Sequence, residues 1–225
     1  MKFFKDMKIG LKLKLSFAIL SLFIIVVGSV GVYYMKKIND NTRNLYQLDL
    51  VGVKDISEIK SNIININLKM LQLVNEKDKL IKTNLESSIE KLRIKDDNLL
   101  VEYNKTIKTN GGREMFNNFN QLLFDYREER KNLLVYIDNG EYNKAILYYP
   151  KLDGVNNKIV GFLDKYVEFN VKSAEVNYKK SDQLYKSSFI LLVLLSLLII
   201  LLGTFISFTI SSFIAKQINE LLIFF

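Results

Sequence analysis

The chain has 225 residues, 49% of them hydrophobic, a formal charge of +8, and no Cys, His or Trp. That inventory excludes disulfides, thiol chemistry, histidine acid–base catalysis and the usual zinc ligand sets. Basic residues stand among acids, as in "KDK", "KDD" and "YREERK", so the surplus reads as solvated helix surface and no nucleic-acid partner is expected.

Residues 1–14 carry Lys2, Lys5, Lys8, Lys12 and Lys14 against Asp6, which reads as a basic cytoplasmic N-terminus. Residues 15–35 contain no charge, and a helix of roughly 20 residues crosses a hydrocarbon core about 30 Å thick. A cleaved signal peptide is the competing reading. Its apolar core would be about 7–15 residues long and end on small residues, whereas Tyr33, Tyr34 and Met35 close this run. The tyrosines suit a membrane interface. Residues 189–214 form a second uncharged run, so both termini are expected in the cytoplasm and 36–188 outside it. Neither run carries the intramembrane charges of a transporter.

Between the spans, "TNGG" at 109–112 and "DNG" at 138–140 are the strongest turn signals. A weaker break lies between Asn75 and Thr83, where "TNLE" reads as a capping box with Thr83 as N-cap and Glu86 as its partner. The first segment places Ile56, Ile59, Ile63, Ile66, Met70 and Leu73 at alternating spacings of three and four, the seam of a packed helix. The second is vaguer, with Leu85, Ile89, Leu92, Leu99, Tyr103 and Ile107. The third carries Phe116, Phe119, Leu123 and Tyr126, then Leu133 and Ile137, with Arg130 where the seam predicts an apolar residue. The fourth runs from Ala145 through Tyr148, Leu152, Val155, Ile159, Phe162, Tyr166 and Phe169 to Val176 and Leu184. It passes Pro150 in phase, so the proline is expected to kink or open an early turn and not to end the helix. No segment alternates with period two. The expected fold is all-α: an up-down-up-down four-helix bundle whose first and last helices continue into the spans. Helices of roughly 30–45 residues would reach about 45–65 Å.

"MKIGLKLKLSFAILSLFIIVVGSVGVYYMKKIND", "LYQLDLVGVKDISEIKSNIININ" and "DNGEYNKAILYYPKLDGVNNKIVGFLDKYVEFNVKSAEVNY" resemble the opening, the first sensor helix and the last sensor helix of bacterial methyl-accepting chemotaxis receptors. "SSFIAKQINELL" is similar to the start of a HAMP linker, with Gln217 where that family carries proline, so residues 215–225 read as an incomplete HAMP-like helix. The resemblance implies a homodimer in the bacterial plasma membrane. Its ligand would be a small molecule or an extracellular binding protein, and its output an axial shift of the second span. A chemotaxis kinase and coupling protein would be engaged only through a cytoplasmic module, which this chain does not contain, so it reads as a natural short protein or a severed receptor. A non-signalling membrane-anchored scaffold or decoy, or the sensor of a histidine kinase, are the alternatives.

For a ligand site, Arg130 is the first candidate, because a charge on a seam must be paired or reach water. Glu86 and Glu90 are its expected partners, and Asp96 and Lys180 also fall near seams. The resemblance puts ligands in the distal half of such a bundle, on the first and last helices. "IKSNIININLK" there supplies Lys60, Asn62, Asn65, Asn67 and Lys69, with Arg127, Arg130 and Tyr148 at similar height. The alternative is that these groups are solvated surface. No catalytic residue, metal or cofactor is expected: Asp96, Asp97, Glu128 and Glu129 read as surface pairs, and a di-iron bundle needs Glu-x-x-His.

Overall fold

The computed structural model describes residues 7–223. Its helices are α1 (Ile9–Asn44), a π-helical turn (Leu45–Leu50), α2 (Val51–Asn75), α3 (Lys79–Thr106), α4 (Asn110–Asp138) and α5 (Tyr142–Ile223). The readings placed on residues 1–6, 224 and 225 lie outside the described residues.

The chain divides into two compact units, one formed by the segments up to Thr42 and from Lys179, the other by Arg43–Tyr178. In the first, α1 and the end of α5 are each long and apolar enough to cross a membrane. They run antiparallel: Leu20 packs 3.7 Å from where a Cβ on Gly203 would stand, and Leu192 4.0 Å from the same point on Gly31. Three hydroxyls in the apolar run of α5 are satisfied internally. Ser196, Thr204 and Thr209 each donate to the carbonyl four residues back at 2.7–2.8 Å, which is what a backbone facing lipid requires.

The second unit is the expected all-α bundle, with three short connections joining four antiparallel helices. The α2 seam, Ile56 to Leu73, is buried throughout, as are Phe116, Phe119, Leu123, Tyr126, Leu133 and Ile137 of α4. The vague second segment has a physical explanation: its buried positions are Ile89, Asp96, Leu100 and Tyr103, so the seam runs through a carboxylate. On α5 the most buried row is Ala145, Leu152, Asn156, Ile159, Leu163, Tyr166 and Asn170. This row spirals beside the one expected from sequence; Phe162 and Phe169 flank it, and Val176 is exposed at 59%. Pro150 lies inside α5 without ending it.

Several local expectations are corrected. Thr83 is no N-cap: its hydroxyl donates to the Lys79 carbonyl within the helix. The cap is Asp78, whose carboxylate accepts from the backbone N–H groups of Leu80 and Ile81. The glycines of "TNGG" are not a loop either. Thr109 caps α4 through Gly112 N–H, and both glycines sit in its first turn. Gly140 does take the left-handed conformation, with φ +72, after α4. Finally, α3 and α4 have 28 and 29 residues, about 42–44 Å at 1.5 Å per residue and just short of the expected length.

Candidate functional site

Polar side chains enter the bundle core at three heights. In the middle, Asn62 of α2 and Asp96 of α3 are 5% and 2% exposed. Asn62 Nδ2 donates to Asp96 Oδ1 at 2.6 Å. Burial pushes the Asp96 carboxyl up to about 7, with the Asn62 hydrogen bond and the Arg127 charge pulling it partly back. The adjacent Asp97 takes the cations: Arg93 donates to one of its oxygens at 2.6 Å and Arg127 of α4 to the other at 2.5 Å. Arg93 also forks onto Glu90. On α4, Tyr126 and Arg130 are buried beside this layer, the guanidinium 6.0 Å from the Tyr126 ring centroid. The Tyr126 hydroxyl has no hydrogen-bond partner among the described residues. Burial lowers the Arg130 pKa and raises that of Tyr126.

Toward the turns at residues 76–78 and 139–141, Asn67 Nδ2 donates to Asp153 of α5 at 2.9 Å. On the outer side Tyr148 donates to Glu129, which also pairs with Lys151 at 2.9 Å. The tyrosine's hydrogen bond, then the lysine's, holds the Glu129 carboxyl below the usual glutamate value.

At the opposite end of the bundle the π-helical turn brings Asp49 inward, to 7% exposure. A single extra residue per turn re-aims side chains in this way. Asn177 donates to Asp49 at 2.6 Å, and Tyr103 donates to Asn170 at 3.2 Å. These four side chains, with Lys108, Thr109 and Phe169, line a cavity of about 180 Å³. A shallower groove on the outside of α2 and α5 is lined by Ser57, Lys60, Ser61, Ile64, Asn65, Asp164 and Val167, with Lys60 and Asp164 paired across it.

The six candidate ligand residues do not share one cavity. Asn62 and Arg127 gather around Asp96 and Asp97 in the core layer, with Arg130 buried near the Tyr126 ring. Asn65 is exposed in the outer groove, Lys69 is half-buried on α2, and Tyr148 is engaged with Glu129 on the α4–α5 side. The expected partners of Arg130 are corrected: Glu90 pairs with Arg93, and among the described residues no carboxylate oxygen forms an ion pair with Arg130. Asp96 and Asp97 are not a surface pair, since Asp96 is buried; Lys180, placed near a seam, is exposed. Asp49, Asn156 and Asn170 were not singled out from sequence. For the two asparagines a signal exists, because Leu152, Asn156, Ile159, Leu163, Tyr166 and Asn170 continue an unbroken alternation of four and three. For Asp49 none exists, since its burial follows from the π-helical turn.

No curated protein and no solved structure matches the chain. A family described as the four helix bundle sensory module for signal transduction matches residues 6–185, the first apolar helix and the bundle together. That span is most of the 225 residues, and it contains every helix and polar layer of the second unit, so the chain belongs to the four-helix-bundle sensory modules of chemotaxis receptors.

Proposed function

We propose that this chain is the input portion of a transmembrane chemoreceptor. Residues 36–188 form its extracytoplasmic sensor, 15–35 and 189–214 cross the bacterial plasma membrane, and both termini face the cytoplasm. The observation that carries the reading, beyond family membership, is α5: one helix from Tyr142 to Ile223 includes both a wall of the sensor and an apolar span. A displacement of that helix by a ligand is transmitted along its hydrogen-bonded axis with no loop to absorb it. Residues 215–223 extend the same helix, in keeping with the beginning of a HAMP linker.

The working unit in this reading is a homodimer. Ser57, Ser61, Ile64, Leu68 and Leu71 form a second stripe on α2 at spacings of four and three, facing away from the core; Ile64, Leu68 and Leu71 are 36–53% exposed. Such a stripe is what a helix presents when it packs against its own copy. The shallow groove of Lys60, Asn65 and Asp164 adjoins it and would lie at the dimer seam. The ligand is a small molecule, or a binding protein, contacting the distal half, with Asn62, Asn65, Lys69, Arg127, Arg130 and Tyr148 as its candidate contacts.

The test is sedimentation of the full chain in detergent, combined with thermal shift against amino acids, organic acids and sugars. Dimerisation lost in Leu68→Lys and Leu71→Lys variants supports the receptor reading, as does a ligand that raises the melting temperature by mass action. A monomeric wild type that no compound stabilises sinks it in favour of a passive anchored scaffold.

A further inference from the structure

The core layer around Asp96 is built for a ligand that no groove on the surface takes. Asp96 is 2% exposed, and its one hydrogen bond within 2.6 Å comes from a neutral amide, Asn62. A carboxylate withdrawn from water needs a cation or several donors. The cations whose charge reaches it are committed elsewhere, Arg127 to Asp97 and Lys95 to Glu58. Along α5, the stretch bracketed by the Lys60–Asp164 and Asn67–Asp153 contacts buries Asn156, Ile159 and Leu163. Its charges there are Asp153 and Asp164, both engaged with α2, and the exposed Lys158. On α2 the nearest acid, Glu58, pairs with Lys95 of α3. A neutral, protonated Asp96 avoids the cost of a buried charge without a cation of its own.

The same layer contains the pieces of a second arrangement. Among the described residues, Tyr126 offers a buried hydroxyl without a partner, and Arg130 a buried guanidinium that pairs with no carboxylate. Both sit on α4: Tyr126 lies within the field of the α3 carboxyl, and the Arg130 guanidinium lies 6.0 Å from the Tyr126 ring centroid. An ionised Asp96 would be drawn away from Asn62 toward them, loosening one of the α2–α3 contacts and adding to the α3–α4 contact that Asp97 and Arg127 already make. Two packings of one polar set, separated by a single charge, make a bistable element.

We propose that the proton is an input of this sensor. Asp96 binds it in the bundle core, and its release to solvent moves α3 from its Asn62 contact on α2 toward Tyr126 and Arg130 on α4. The proposal rests on the sensory reading above. The burial-driven rise of the Asp96 carboxyl to about 7 puts the transition in the range a bacterium meets.

The experiment uses the whole chain in lipid nanodiscs, titrated from about pH 5 to about pH 9 to span that midpoint. Infrared difference spectra follow the protonated carboxyl band, and spin labels at Asn98 of α3 and Asn120 of α4 follow their separation; both positions are exposed and the chain has no native cysteine. The expected result is a carboxyl band that disappears near pH 7 with the label distance changing at the same midpoint. Both changes vanish in Asp96→Asn, while Asp96→Glu keeps a titrating band at a shifted frequency. If Asp96→Asn fails to fold, the band shift in Asp96→Glu makes the assignment. The proposal is overturned if no band near pH 6 belongs to Asp96, or if the band titrates while the helices stay in place. Neither the carboxyl band nor the label distance depends on dimerisation or on a small molecule, so a failure here leaves the receptor assignment standing, and a monomeric chain would leave the proton site standing.

Discussion

Asn177 donates to Asp49 at 2.6 Å, so the π-helical turn at the start of the bundle is tied directly to the last stretch of α5 inside it. Asp49 is buried, and the amide is its charge-assisted donor. Asp49→Ala removes the acceptor and leaves a partly buried amide unpaired, at about 1–2 kcal/mol. Urea unfolding should show that loss, while Asn177→Ala, which strands a buried carboxylate, should lose more. Equal, negligible effects would mean the contact is not formed in solution.

Gly52 and Gly161 predict opposite signs for the same substitution. A Cβ on Gly52 would stand 2.9 Å from the Tyr103 ring and 3.4 Å from Asn170 Nδ2, whereas Gly161 has nothing within 4 Å. Gly52→Ala forces apart the Tyr103–Asn170 pair and should destabilise by about 1–3 kcal/mol. Gly161→Ala relieves the entropic cost of a helical glycine and should stabilise by about 1 kcal/mol. Melting temperatures of the two variants would separate close packing from helix propensity.

The start of α3 is decided by a carboxylate and not by the threonine five residues on. Asp78→Ala should cost about 1 kcal/mol, because two N–H groups lose their acceptor. Thr83→Ala removes only a hydroxyl bonded back to Lys79 and should be neutral or slightly stabilising. A larger loss from Thr83→Ala would contradict the cap position.

Stability should fall as pH rises toward neutrality. The Asp96 carboxyl is raised from 3.8 to about 7 in the folded bundle. Its contribution is therefore fully present below pH 3.8 and lost as pH climbs to about 7, the folded state holding a proton that the unfolded chain gives up. Between pH 5 and 7 the loss is about 2 kcal/mol. Glu129 acts with the opposite sign: its depressed value stabilises above the ordinary glutamate range and is lost on acidification. Denaturation at pH 5 and 7 should show the wild type losing stability and Asp96→Asn staying nearly level. A wild type as stable at pH 7 as at pH 5 would place Asp96 ionised and solvated.

The bundle was legible because its driving force is local in pattern. Apolar residues at spacings of three and four bury one face of a helix wherever it packs, and Ile56–Leu73 on α2 and Phe116–Ile137 on α4 needed no partner to be recognised. Arg130 and Asp96 were legible only as interruptions of those rows. Which charge meets which is a matter of how helices rotate and slide against each other. Glu90, one helix away from Arg130, could have been its partner but is taken by Arg93 on its own helix.

Spacing along the chain therefore specified four helices, two apolar spans and the positions where polarity enters the core. Packing decided the rest. The π-helical turn that carries Asp49 inward leaves no pattern, because one extra residue in a turn changes direction and not composition. Asp96 is held by Asn62 and passed over by Arg127 for the same reason: contacts between residues 34 and 30 positions apart depend on the register of α2, α3 and α4, which no single helix encodes.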